Sequence, residues 1–110
     1  MKIKEYKEID EQIYSFEHES GLRVYLLSKK DFQKNYALFA TNFGSVDDLY
    51  TENGELITIP DGTAHFLEHK MFEEPEGDVF QKFSALGASA NAFTSFDMTA
   101  YLFSATSNFY

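Results

Sequence analysis

The chain has 110 residues, 44% of them hydrophobic, 25% charged and 17% aromatic, the last comprising twelve Phe and seven Tyr with no Trp. That is the composition of one folded globular domain rather than of a disordered segment. With no cysteine, disulfides, thiolate zinc sites and cysteine nucleophiles are excluded, and a net charge of −9 argues against a nucleic-acid partner, which needs a basic surface.

In chain order, Lys2, Lys4 and Lys7 are followed by no apolar run, so no secretory signal is expected. No apolar stretch is long enough for a membrane-spanning helix. These two readings lead to an expected cytoplasmic location without a membrane partner. Ile13 to Phe16 reads as a short strand and Glu19-Ser20-Gly21 as a turn. Leu22, Val24 and Leu26 then mark a second strand, giving a hairpin. Tyr36 to Phe43 is a third strand, apolar enough to be buried on both faces. Asn53-Gly54 is a two-residue hairpin signal between Leu49-Tyr50 and Leu56-Ile57. A helix is expected from about Thr63 to Phe72. A second starts at Asp78, a suitable N-cap, carries Val79, Phe80, Phe83 and Leu86 on one face, and stops before Gly87. Ser89 to Thr94 and Met98 to Ala105 read as strands. Strands, two helices, then strands indicate an α+β domain, with an antiparallel or mixed sheet and helices packed on one face.

The chemistry concentrates in His65-Phe66-Leu67-Glu68-His69. Histidines at i and i+4 of a helix lie on one face, about 5–6 Å apart at Cβ, a spacing from which two imidazole nitrogens can reach one zinc ion. On a helical wheel Glu68 stands about −60° and His69 about +40° from His65, while Ala64, Leu67 and Met71 form the opposite, core-facing side. A carboxylate beside two metal-binding imidazoles can take a proton from a water whose pKa the ion has lowered, the pattern of a metal-assisted hydrolase. The alternative for the same residues is a solvent-facing His-Glu-His stripe with an incidental salt bridge.

Gly62 to His69 resembles the inverted zinc motif, H-x-x-E-H, of the pitrilysin/insulinase family of metallopeptidases. Asn42-Phe43-Gly44-Ser45 is similar to the strand end that precedes the motif in that family. Ser89 to Ser95, followed by Thr99 and Tyr101, is similar to its substrate-edge strand. Within the family, the likeness is greatest to bacterial chains associated with elongation factor P modification. The resemblance implies an incomplete N-terminal part of an insulinase-like peptidase domain over residues 1–110. It implies Zn2+ held by His65 and His69, and Glu68 as general base. It also implies that Asn91, Ala92 and Phe93 lie on an edge strand that receives an extended peptide by backbone pairing.

In the family the third zinc ligand is a glutamate several dozen residues beyond the motif. Only 41 residues follow His69, so that ligand is expected beyond Tyr110, and Glu73, Glu74 and Glu76 are read as solvated loop residues. The expected partners are a peptide or protein substrate and either the missing C-terminal half or a homologous partner chain. The 110-residue piece is expected to bind zinc weakly, to turn over no peptide and to self-associate through an exposed strand edge. The alternative function is a non-catalytic peptide-binding subunit or maturation partner that retains the peptidase fold. Ten acids and one base fall between Ser45 and Asp78. That is either a solvated acidic surface or a field that attracts a basic peptide.

Overall fold

The computed structural model of the protein describes residues 1–75 and 77–107. They form two compact units, Met1–Phe32 and a second that begins at Gln33. Glu76 and the chain end from Asn108 to Tyr110 lie outside the described residues.

The first unit is a three-stranded antiparallel sheet, β1 (Lys2–Tyr6), β2 (Glu11–Glu17) and β3 (Arg23–Leu27), in that order. The expected hairpin is β2–β3, with Ile13 opposite Leu27 and Glu17 opposite Arg23. Strand β1 has no counterpart in the sequence reading. Its five residues, Lys-Ile-Lys-Glu-Tyr, hold too few apolar side chains to show an alternation, and it is held by backbone pairing to β2 from Lys2↔Ser15 to Tyr6↔Glu11.

The second unit is built on three antiparallel strands in the order β4 (Asn35–Thr41), β10 (Thr99–Ala105), β9 (Ala88–Thr94). A hairpin of β5 (Leu49–Glu52) and β6 (Glu55–Thr58) follows β4. It turns at Asn53 and Gly54, both at positive φ (51° and 84°), the pair of left-handed conformations that a two-residue Asn-Gly turn supplies. Helix α1 spans Thr63–Lys70 and α2 spans Val79–Ala85, with the tiny ladder β7 (Glu73–Glu74) and β8 (Gly77–Asp78) between them. Asp78 caps α2 as expected, its carboxylate accepting from Phe80 N at 2.8 Å. The architecture is α+β with antiparallel pairing throughout the described residues.

Side-chain alternation decides where the helices sit. On β10, Thr99, Tyr101, Phe103 and Ala105 share one face, with Thr94, Ala92, Ala90 and Ala88 of β9 directly opposite them. Phe72 lies 5.9 Å from Tyr101 and stacks on Phe80 at 4.4 Å, and Phe83 stacks on Phe103 at 5.5 Å, all as ring-centroid distances. The three alanines of β9 leave room for α1 and α2 to approach this face.

Two expectations are corrected. Strand β4 is not buried on both faces: Tyr36, Leu38 and Phe39 are about half exposed or more, because β4 is an edge strand paired only with β10 among the described residues. Of the expected inward side of α1, Ala64 is buried but Leu67 and Met71 are not. Leu67 is 46% and Met71 67% exposed, whereas Ala64 and Phe72 are 2% and 7% exposed with Glu68 half-buried between them. The side of α1 that carries Ala64 and Glu68, continued past the helix end by Phe72, therefore faces the sheet, where the rings of β10 offer it more contact.

The segment between β4 and β5 is clamped onto the β9–β10 turn. Ser45 N donates to Ser95 O at 2.9 Å and Val46 N to Phe96 O at 3.0 Å, Thr99 Oγ1 donates to Phe43 O at 2.7 Å, and Gly44 N donates to Asp47 Oδ2 at 2.6 Å. A Cβ on Gly44 would stand 2.4 Å from the Phe96 carbonyl oxygen, so the residue is required to be glycine by closeness of approach. Gly44→Ala is expected to lower stability by about 1–3 kcal/mol through overpacking against backbone, measured by urea unfolding.

Candidate active site

Helix α1 begins after Gly62 and brings His65 and His69 onto adjacent turns of one exposed face. Their Nε2 atoms are 3.0 Å apart and their ring centroids 4.8 Å, with the rings tilted by 47°. Two nitrogens that each sit ~2.0–2.1 Å from one tetrahedral zinc ion are about 3.3 Å apart. The observed separation is close to that distance, and neutral imidazole is a preferred zinc donor, so the pair fits two positions of a zinc site. Among the described residues no group of three or more His, Cys, Asp or Glu side chains is placed to hold an ion.

Glu68 leaves the histidine face and turns toward the sheet. Its Oε2 accepts from Thr94 Oγ1 of β9 at 2.8 Å in a part-buried contact. Tyr101 on the neighbouring β10 also senses this carboxylate. Burial first, and then the negative charge of Glu68, raise its phenol above the ordinary 10.0. Glu73 and Glu74, expected in a loop, form β7 and stay exposed, ion-paired to Lys70 and Lys82 respectively. Lys70 also lies 5.6 Å from the centre of the Phe66 ring. The third histidine, His18, sits in the β2–β3 turn with its Nδ1 2.9 Å from Ser20 Oγ.

Asn91, Ala92 and Phe93 lie on β9, which pairs with β10 on one side and is an edge of its sheet among the described residues. Asn91 and Phe93 are exposed on the face away from the helices, and Ala92 is half-buried toward them. Ala92 N donates to Asn91 Oδ1 at 2.9 Å. The structure thus brings Glu68 to the end of the same strand that carries these three residues. Sequence reasoning missed Thr94 as its partner. The only available signal was a hydroxyl residue closing a strand of small side chains, which has no distinctive spacing from the motif.

Helix α1 thus presents two paired imidazoles outward and joins its carboxylate to the last residue of the edge strand β9. The family profile described as "Insulinase (Peptidase family M16)" matches residues 49–109, more than half of the chain. The "Uncharacterized zinc protease YmfH" of Bacillus subtilis is 57% identical over 110 residues, covering 98% of this chain and 26% of that protein. The "Putative zinc protease AlbF" of the same organism is 32% identical over 99 residues, covering 89% of this chain and 23% of that protein. The crystal structure of a "putative M16-like peptidase" from Alicyclobacillus acidocaldarius superposes with a TM-score of 0.81 at 48% identity, covering 89% of this chain and 23% of that one. The chain belongs to the insulinase family of peptidases, M16. It spans about a quarter of the length of the relatives it matches.

The raised phenol of Tyr101 has a signed consequence. A tyrosine whose folded pKa exceeds its unfolded value contributes stability that is complete below the unfolded pKa and is lost as pH rises through the folded one. The chain should therefore lose stability above about pH 10, and Tyr101→Phe should flatten that decline in alkaline unfolding curves. Glu68→Gln should move the Tyr101 phenol only part of the way back toward 10.0, because burial is the larger cause. Residue-resolved NMR titration of the Tyr101 ring checks this.

Proposed function

We infer that the chain is the zinc-binding portion of a peptidase that hydrolyses peptide bonds, with His65 and His69 as metal ligands and Glu68 as general base. The observation that carries the reading is the pair of Nε2 atoms 3.0 Å apart on the motif helix, in a chain of the insulinase family. Residues 1–110 are read as part of one insulinase-like peptidase domain. The remaining ligands come from beyond Tyr110 or from water. When bound, zinc supplies an acidified water and a positive charge for the oxyanion that forms at the scissile carbonyl. Glu68 takes a proton from the attacking water at one carboxylate oxygen and delivers it to the leaving amine.

The substrate is an extended peptide or protein segment lying along β9, where Asn91, Ala92 and Phe93 offer a strand edge whose backbone pairing tolerates varied sequences. The C-terminal half of the relatives, or a homologous partner chain, would complete the chamber. Without that cover the open edges of β4 and β9 would promote self-association. Of the described residues, no helix is long and apolar enough to cross a membrane, and a cytoplasmic location remains part of this reading. The association with elongation factor P modification rests on sequence resemblance. Neither curated relative carries it in its name.

In the longest natural chain that carries this sequence, Glu68→Gln should reduce peptide hydrolysis by about 10²–10⁴-fold with zinc content unchanged by metal mass spectrometry. Chelation should abolish hydrolysis, and His65→Ala should lose the metal. Full cleavage by Glu68→Gln would remove the assignment of the base. The isolated 110-residue chain should bind zinc weakly by calorimetric titration and show no turnover, since affinity is built from the whole ligand set.

A further inference from the structure

Thr94 is the last residue of β9, 26 residues from Glu68 in sequence, and its hydroxyl donates to Oε2 of that carboxylate at 2.8 Å. Its backbone has little freedom to move. Thr94 stands opposite Thr99, which is 2% exposed and bonded to the Phe43 carbonyl. The next residue, Ser95, donates its N–H to Met98 O at 2.8 Å, and its carbonyl accepts from Ser45 N. The clamp around Gly44 therefore fixes the turn, the turn fixes Thr94, and Thr94 reaches the base.

A glutamate has three side-chain torsions, and ordering them costs entropy that a free carboxylate regains by wandering. A charge-assisted bond from a fixed hydroxyl removes that freedom and distinguishes the two oxygens. Oε2 is committed to Thr94, which leaves Oε1 to take the proton. Because Thr94 continues the strand that carries Asn91, Ala92 and Phe93, the same bond sets the base in register with a peptide laid along β9.

We propose that Thr94 is a positioning residue for Glu68, orienting its carboxylate relative to substrate held on the β9 edge. This rests on the reading of Glu68 as general base. The rival role for the hydroxyl is only to satisfy a half-buried carboxylate and hold α1 to the sheet.

The test uses the longest natural chain, with Thr94→Val, which keeps the shape and the strand preference, and Thr94→Ser, which keeps the hydroxyl. Thr94→Ala replaces valine if valine disturbs folding. The expected result for Thr94→Val is a kcat about 10–100-fold lower, the scale of one bond to a charged group, with KM and zinc content unchanged. Thr94→Ser should recover most of the loss. In the Glu68→Gln background, Thr94→Val should have little further effect on residual cleavage. The proposal is overturned if Thr94→Val and Thr94→Ala leave kcat intact, or if serine fails as badly as valine. It is also overturned if the loss tracks reduced zinc content or unfolding. Loss of activity in Glu68→Gln alongside wild-type activity in Thr94→Val removes the positioning role alone. Full activity in Glu68→Gln removes the base and the positioning role together.

Discussion

The antiparallel register between β9 and β10 is the constraint on which the rest of the second unit depends. It sets Thr94 against Thr99 and Ala92 against Tyr101, and so decides which side chains face the helices. A slip of one residue would send every β9 side chain to the other face. Phe93 would then meet α1 where an alanine now gives it room, and Thr94 would turn away from Glu68. The Gly44 contact with the Phe96 carbonyl and the Thr99 bond to Phe43 work against such a slip, since both seize the turn between the two strands. A loop far from the histidines in sequence thereby helps to place the group beside them.

The motif helix divides its polar residues between two environments. His65 and His69 face outward, with their nitrogens close enough to share a cation. Glu68 sits in the sheet-facing row between Ala64 and Phe72 and is satisfied there by a hydroxyl. A half-buried carboxylate without such a partner would be costly. With one, it becomes a fixed element of the packing and a neighbour whose charge is felt by Tyr101.

Much of this was legible in the sequence because local rules were strong there. The Asn-Gly turn, the Asp78 cap and the alternation of Leu22, Val24 and Leu26 each have one favoured structural answer. The H-x-x-E-H spacing by itself puts two imidazoles on one face of a helix. The inward side of α1 was misread because a wheel sorts residues by polarity. The helix is oriented instead by aromatic rings supplied from β10 and α2, which a local pattern does not contain. Strand β4 was misjudged for a related reason. Its apolar side chains signal burial, but the burial itself depends on neighbours that its sequence does not specify. The Thr94–Glu68 bond was invisible because it joins two elements whose relative placement is a tertiary fact.

The acidic stretch from Ser45 to Asp78 turns out to be heterogeneous. Asp47 is tied to the backbone at Gly44, Glu68 to Thr94, Asp78 to the start of α2, and Glu73 and Glu74 to lysines. Asp48, Glu52, Glu55 and Asp61 make no side-chain hydrogen bond or ion pair among the described residues. These four can be exchanged for neutral residues to tune solubility or crystallisation without unfastening any described contact. The same exchange at Asp47 or Asp78 would detach a loop or fray a helix. The negative charge of this protein is thus partly fastening and partly surface coat, and a count of acids does not separate the two.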